Sequence, residues 1–585
     1  MIGRRKAQTD LFDVGNVYPF VLRPGTFEAQ LAQAAPRLFS DEDFARFYTE
    51  RVGRPSVPPS LLALTLLLQN EAQTSDEETV ERTGCDLRWA AVLRRPAGEP
   101  LCAKSTLQLF RAHLVLHEEV HTLFQKSIQE AKRAGLLGGR VRAAIDTKPI
   151  VGRGAVEDTY NLLASGIRQV ASALGKQAGQ SPDAWLVANG LGRYAEASVK
   201  GSADIDWSDE EARKLLLSEL VADARSVLAA SAGGGKEAAE AAQLLCALLL
   251  QDVQVQETAE GPKAQVKQGT ARGRIPSVSD AQQRHGRKSA SKRFTGHKAS
   301  ICTDIDSQII LAVDVLPADA GDASGALGLV EQAEEQADVV VEETLGDCAY
   351  GGAGTREEFA EAGRTLHAKV PSEPERSAFP KSAFVLDLQQ DTVTCPEGHT
   401  TARFMPTHEG GKVFFFGSIC RDCALRAYCT RSAQGRTLRV HPQEERLQKA
   451  RAYQQTPAGR SHLRERVVVE HRLARLGQLG IGQARYIGRR MTLFQLTLAA
   501  TIANLRRTWN WTAGQEGAAD HPGLAPKAFG TGSVARLASR TRHLSAPWTG
   551  LLRAYAAAAF ARYLVHVASQ ANAALRWKPA FRPGF

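Results

Sequence analysis

The chain has 585 residues, 43% hydrophobic and 23% charged, too long for one core and too apolar for a disordered or fibrous protein. Its net charge of +10 and pI near 9.1 suit a polyanionic partner, usually nucleic acid. The longest apolar runs, such as Leu61 to Leu68, are too short for a bilayer. The basic start Met1 to Lys6 leads into no secretory h-region, and nine cysteines in such a length are no disulfide scaffold, so a cytoplasmic protein without a membrane partner is expected.

Residues 1–135 read as helical. Ser40-Asp41-Glu42-Asp43 marks a helix start before Phe44 and Phe47. The Gly53-Arg54-Pro55-Ser56-Val57-Pro58-Pro59-Ser60 connector delivers Leu61, Leu62, Leu64 and Leu68. Ser75-Asp76-Glu77-Glu78 has capping-box spacing, and Ser105-Thr106-Leu107-Gln108 repeats it. Short capped helices in series suit a helix-turn-helix-like DNA reader or a plain helical scaffold.

Val141 to Ile145, apart from Arg142, is apolar or small and reads as a short buried strand ending at Asp146. A buried carboxylate is costly unless it is paired, hydrogen-bonded or metal-bound, although a loop Asp often caps a turn. A long helical region follows, with Leu163, Ile167, Val170 and Leu174 at helical spacing. From Glu260 to Lys292 it gives way to Gly, Pro, Ser and basic residues. Arg284, Arg287, Lys288, Lys292, Arg293 and Lys298 form a basic run, either solvated or in phosphate contact. Ala299–Asp304 and Gln308–Val315 read as a hairpin turning at Asp306-Ser307. A helix over 323–336, a strand from Val339, a helix capped at Thr355-Arg356-Glu357-Glu358 and a strand over 365–370 complete a mixed sheet with helices.

The strand from Val339 runs out at Leu345-Gly346-Asp347, a context like that of Asp146. Two carboxylates at neighbouring strand ends suit a divalent metal, which takes hard oxygen ligands. Asp304, Asp306 and Asp314 compete, but the first two flank a turn. A third acid is expected on a helix over 466–476, where Val469, Leu473 and Leu476 form an apolar stripe and Arg466 and Glu470 share a face. A surface ion pair is the alternative for Glu470, and Glu465 is the rival acid. Cys395, Cys420, Cys423 and Cys429, with His399 as alternate, contain a Cys-x2-Cys pair of zinc-site type. Four thiolates, or three with His399, would close one structural zinc site. Met491, Phe494, Leu498, Ile502 and Leu505 make an amphipathic helix. Beyond Asp520 no acid occurs, which leaves a basic, partly helical tail.

The order of these segments resembles that of bacterial insertion-sequence transposases of the DDE class, in the group with a helical N-terminal domain and a cysteine-rich insertion. The resemblance is carried by Gly53-Arg54-Pro55-Ser56, Asp86-Leu87-Arg88-Trp89, Ile145-Asp146-Thr147 and Asp158-Thr159-Tyr160. It continues through Thr295-Gly296-His297-Lys298, Gly346-Asp347-Cys348-Ala349-Tyr350-Gly351, the cysteines and Ala484-Arg485-Tyr486-Ile487-Gly488-Arg489-Arg490. It implies an RNase H-like catalytic core over 136–510, interrupted by a helical insertion at 155–292 and a cysteine-rich one at 380–435. A helical DNA-binding domain at 1–135 and a basic helical tail at 511–585 flank it. It also implies a triad of Asp146, Asp347 and Glu470 holding two Mg²⁺ or Mn²⁺ ions. DNA contacts are expected from Lys298, Arg466, Arg472, Arg485, Arg489 and Arg490. The implied function is binding of the terminal inverted repeats of an insertion sequence, by a homo-oligomer on DNA at the nucleoid, with metal-dependent strand cleavage and strand transfer into target DNA. A related group carries Tyr-x2-Arg-x3-Glu-x6-Lys/Arg around the Glu; here Arg466 and Glu470 match, but Leu463 and Gly477 replace the Tyr and the base. Other readings are a transposase-derived DNA-binding protein without catalysis, and a metal-dependent nuclease that cuts without joining.

Overall fold

Apolar strand residues bounded by turns build a six-stranded mixed sheet in the computed structural model. The model describes residues 1–519 except 6–10, 50–52, 118–119, 197, 259–260, 290, 371–378 and 409. In chain order the strands are β1 (Arg140–Val151), β2 (Val253–Thr258), β3 (Gly261–Val266), β4 (Arg284–Arg287), β5 (Arg293–Asp304), β6 (Ile310–Pro317), β7 (Val340–Gly346) and β8 (Leu366–Ala368). β2 and β3 form a separate hairpin; the others form the sheet, ordered β4-β5-β1-β7-β8 with β6 also on β5. β5 runs antiparallel to β1, and β6 antiparallel to β5; β7 and β8 run parallel on the other side. Gly296 lets β5 cross β1 closely: its φ is +152°, and a Cβ there would strike the Ile150 carbonyl.

The N-terminal helices share one apolar core with this sheet. The Pro59–Ala72 helix starts with proline in its first turn and is buried on every side, which explains its unbroken leucines. Trp89, Phe110 and Phe124 from neighbouring helices pack into the cluster that holds Ile145 and Ile301 of the sheet. The Arg489–Ala519 helix joins it through Phe494, Leu498, Ile502 and Leu505. Asn504 fixes that helix to β6, accepting the Ile310 N–H and donating to the Ile310 carbonyl, both at 2.8 Å.

Two further cores follow in sequence, one between β1 and β4 and one after β8. Helices Thr159–Gln177, Glu210–Ala230 and Lys236–Asp252 enclose Leu163, Ile167, Leu220 and Leu245. Asp158 caps the first of them, accepting the Tyr160 N–H at 3.0 Å, so this part of the Asp158-Thr159-Tyr160 segment starts a helix. The cysteine-rich segment forms two three-stranded sheets around Phe384, Val393, Phe414 and Leu438. Capping follows the sequence at Ser40 and Ser75. It differs at Ser105 and Thr355, which lie inside helices that begin at Lys104 and Ala353. Met1–Ala513 forms one unit. Of the second, Gly514–Phe585, only the end of the last helix is described, and the basic tail expected beyond it lies outside the described residues. No helix among the described residues is long and apolar enough to cross a membrane.

Candidate active site and cysteine cavity

Strand register brings Asp146 and Asp347 together. Ala144 of β1 pairs with Leu345 of β7, and each acid stands two residues beyond that pair on parallel neighbours. β7 ends at Gly346, and Asp347 then caps the short turn Cys348–Tyr350, its Oδ1 accepting the Ala349 N–H at 2.8 Å. β1 does not end at Asp146 as the sequence suggests. It runs on to Val151, so Asp146 is a mid-strand residue, with the Thr147 N–H donating to its Oδ1 at 2.7 Å. Beyond Ala144 the strand pairs with β5 and no longer with β7, which leaves the β7 side to a cleft.

Glu470 enters the same cleft from the first turn of the Val467–Gln478 helix. Val469, Leu473 and Leu476 bury the apolar stripe of that helix and leave Glu470 at its flank, with its side chain 48% exposed. Asp146, Asp347 and Glu470 thus line one cleft of about 450 Å³, walled also by Lys148, Arg287, Lys288, Lys298 and Asp322. Lys148 and Asp322 carry no role assigned from sequence, whereas Arg287 and Lys288 belong to the basic run read as solvated or in phosphate contact. The i, i+2 spacing from Asp146 was the available signal for Lys148.

Burial pushes the Asp146 carboxyl up to about 6; the Thr147 N–H opposes the rise, Asp347 adds to it, Arg466 opposes and Glu470 adds. Asp146 therefore feels both other acids. Arg466 pairs with Glu470 at 2.9 Å, one helical turn away. Tyr350, only 1% exposed, lies beneath the acids, and its hydroxyl has no hydrogen-bond partner among the described residues. Burial, then Asp146, Asp322 and Asp347, hold it well above the usual phenol range, so it stays neutral. Three carboxylates lining one cleft, one of them paired with Arg466, offer the hard oxygen donors that divalent magnesium or manganese takes.

Glu465 is occupied elsewhere. It accepts from Arg142 at 2.6 Å, which also pairs with Asp306 at 3.0 Å, and it does not line the cleft. Leu463 is buried in the preceding helix, Pro457–Arg464. At Gly477 a Cβ would collide with the Lys148 ammonium, which donates to the Leu473 carbonyl at 3.0 Å. A cation from β1 therefore occupies the space over the position where related transposases carry a basic side chain.

The remaining expected DNA contacts are placed in three ways. Lys298 lies in the cleft wall, its ammonium held by Asp322 at 2.7 Å and the Ala320 carbonyl at 2.6 Å. Arg472 is half-buried, and desolvation, with Arg507 and Arg475 beside it, lowers its pKa to about 10. Arg485 donates to the Thr74 carbonyl at 2.6 Å, Arg489 to Val315 at 2.9 Å and Arg490 to Val115 at 2.6 Å. These last three fasten the Arg489–Ala519 region to other elements in this structure.

Cys395, Cys420, Cys423, Cys429 and His399 line a second, far smaller cavity of about 20 Å³. Cys395 follows the strand Thr392–Thr394, and its N–H donates to the His399 carbonyl at 2.8 Å. The Arg436 N–H points at Cys420 Sγ from 3.4 Å. Burial pushes the Cys429 thiol up; Arg436 opposes this, and Cys420, Cys395 and Cys423 add to it. Four thiols lining one small cavity are the ligand type that soft or borderline ions take.

A family model described as a transposase domain (DUF772) matches residues 17–113, the N-terminal helices. One described as a transposase DDE domain matches residues 394–509, from the cysteines through Glu470 into the last helix. Asp146 and Asp347 fall between the two. No curated protein and no solved structure matches the chain. The chain is thus similar to transposase families at two places in succession, over its N-terminal helices and again from the cysteines to the last helix.

Proposed function

We propose that this protein binds the ends of an insertion sequence and catalyses metal-dependent DNA cleavage and strand transfer, with Asp146, Asp347 and Glu470 holding two Mg²⁺ or Mn²⁺ ions. One observation carries the reading: acids from β1, from the end of β7 and from a helix line a single cleft, although more than 300 residues separate the first from the last. The sheet order, with β5 and β6 antiparallel on one side of β1 and β7 and β8 parallel on the other, supports an RNase H-like core.

Bound there, the ions supply an activated attacking oxygen and charge stabilisation at the leaving oxygen. The carboxylates hold and orient the centre. Lys148, Arg287 and Lys288 face the same space and neutralise the approaching phosphodiester. Lys298 shapes the wall and positions Asp322. Water cleaves the transposon end, and the freed 3′-OH attacks target DNA, so no side-chain nucleophile is assigned. The cysteines hold a closed structural zinc ion. The N-terminal helices bind the terminal repeats in a homo-oligomer assembled on DNA.

The test combines a duplex carrying the element's terminal inverted repeat with a supercoiled target plasmid and Mg²⁺ or Mn²⁺. Nicked ends and joined products are expected, both lost in Asp146→Asn while end binding persists. Nicking without joining would make the protein a nuclease, and binding without either reaction would leave a DNA-binding derivative.

A further inference from the structure

A second set of ligand-type side chains lies behind the acid cleft, on the elements that position it. Glu343 stands on β7, four residues before Asp347; His367 stands on β8; His462 stands on the Pro457–Arg464 helix, eight residues before Glu470. One donor atom from each lies within 4.8 Å of the other two. His462 Nε2 is 3.0 Å from Glu343 Oε1, and His367 Nε2 is 3.4 Å from Glu343 Oε2. The imidazole centroids are 4.8 Å apart at 66°, so the rings converge without stacking.

The surroundings match what a metal ligand needs. Tyr453 places its hydroxyl 2.7 Å from His462 Nδ1. With the proton on Nδ1 donated to Tyr453, the Nε2 lone pair faces Glu343 and His367, the arrangement of a histidine oriented for metal binding. Burial, reinforced by His462, lowers the His367 pKa and favours the neutral ring that a metal requires. Arg142 lies 3.6 Å from Glu343, but its charge is already met by Glu465 at 2.6 Å and Asp306 at 3.0 Å. Two imidazoles and a carboxylate are borderline ligands, suited to zinc and neighbouring transition metals rather than to magnesium.

We propose that Glu343, His367 and His462 form a third metal site, for a divalent transition ion of the zinc type, with water completing the coordination. Its ion ties β7 and β8 to the helix that leads into the Glu470 helix. The acids at the reacting centre thereby gain a fixed support that is neither the acid triad nor the cysteines. The proposal involves no DNA and stands whether or not the chain transposes.

The test uses the full-length protein, stripped by chelation and titrated with zinc, with metal counted after dialysis and zinc-edge X-ray absorption recorded. One zinc per chain should enter a nitrogen–oxygen shell with imidazole outer-shell scattering. That equivalent should vanish in His367→Gln and in His462→Gln, and persist in His399→Gln and Asp146→Asn. Equal zinc content in wild type and both first variants would overturn the site. If those variants fail to fold, the spectrum of His399→Gln decides: no imidazole-containing component at micromolar zinc, beside the sulfur shell of the cysteine-held ion, overturns it equally.

Discussion

The acid cleft and the cysteine cavity both gather ligand-type side chains from distant positions, but they solve opposite problems. The cleft is about 450 Å³ and shared with lysines and arginine; the cavity is about 20 Å³ and lined also by Phe416, Ile419 and Leu425. In the cleft, like charges are held together by the rigid register of β1 and β7, at a cost to the fold. In the cavity, the two small sheets have little apolar core of their own, so a bound ion would hold them together. Space beside the ligands separates a site built to admit a substrate from one built to exclude it. Removing a ligand should therefore have opposite consequences in the two places.

The largest effect is expected from Asp146→Asn. Losing several kcal/mol of charge stabilisation at the reacting phosphate should lower cleavage by roughly 10³-fold or more. The same substitution should stabilise the metal-free fold at neutral pH. The folded Asp146 carboxyl is raised to about 6, against roughly 3.9 for an unfolded Asp. Its favourable contribution is complete below about pH 4 and is lost as pH rises through about 6. Wild type in chelator should lose on the order of 2–3 kcal/mol over that window, and the variant should not. Denaturant titrations at both ends of the window would expose the error if the two proteins behave alike.

Cys423→Ser is expected to act the other way. Zinc content should fall by one equivalent, and the segment around Phe384 to Val440 should become protease-sensitive, because metal binding there is folding energy. Limited proteolysis with and without chelator reads this, and an unchanged digestion pattern argues against a zinc-held segment.

Gly477→Ala probes the cleft without touching an acid. The new methyl displaces the flexible end of Lys148 rather than backbone, so the fold should survive. Cleavage should drop about tenfold, near the ~1.5 kcal/mol of one charge-assisted hydrogen bond. Full activity would remove Lys148 from the site.

Much of this arrangement is written in local sequence, and the exceptions have physical causes. β7, the 310–317 strand and the Val467–Gln478 helix follow from apolar period and length. The extension of β1 is hidden because Thr147, Lys148 and Pro149 look like a strand end. Proline is tolerated there because β7 pairs no further than Ala144, which leaves that side of β1 without a ladder partner until Val151 meets Gln483. Ser105 and Thr355 mislead because capping-box spacing can also occur inside a first turn. Arg485, Arg489 and Arg490, expected to contact DNA, also donate to the carbonyls of Thr74, Val315 and Val115, partners that local sequence does not reveal. The Glu343–His367–His462 group is invisible for the same reason: its members come from separate elements with no common spacing.

The central claim is that Glu470 completes the acid site and Glu465 does not. Mn²⁺-dependent cleavage of an end duplex by Glu470→Gln beside Glu465→Gln tests it most directly. Glu465 pairs with Arg142 at a partly exposed position, so its loss should cost about 0–1 kcal/mol of stability and leave cleavage intact. Glu470→Gln should be folded and inactive in both nicking and joining. An active Glu470 variant beside a dead Glu465 variant would contradict the account.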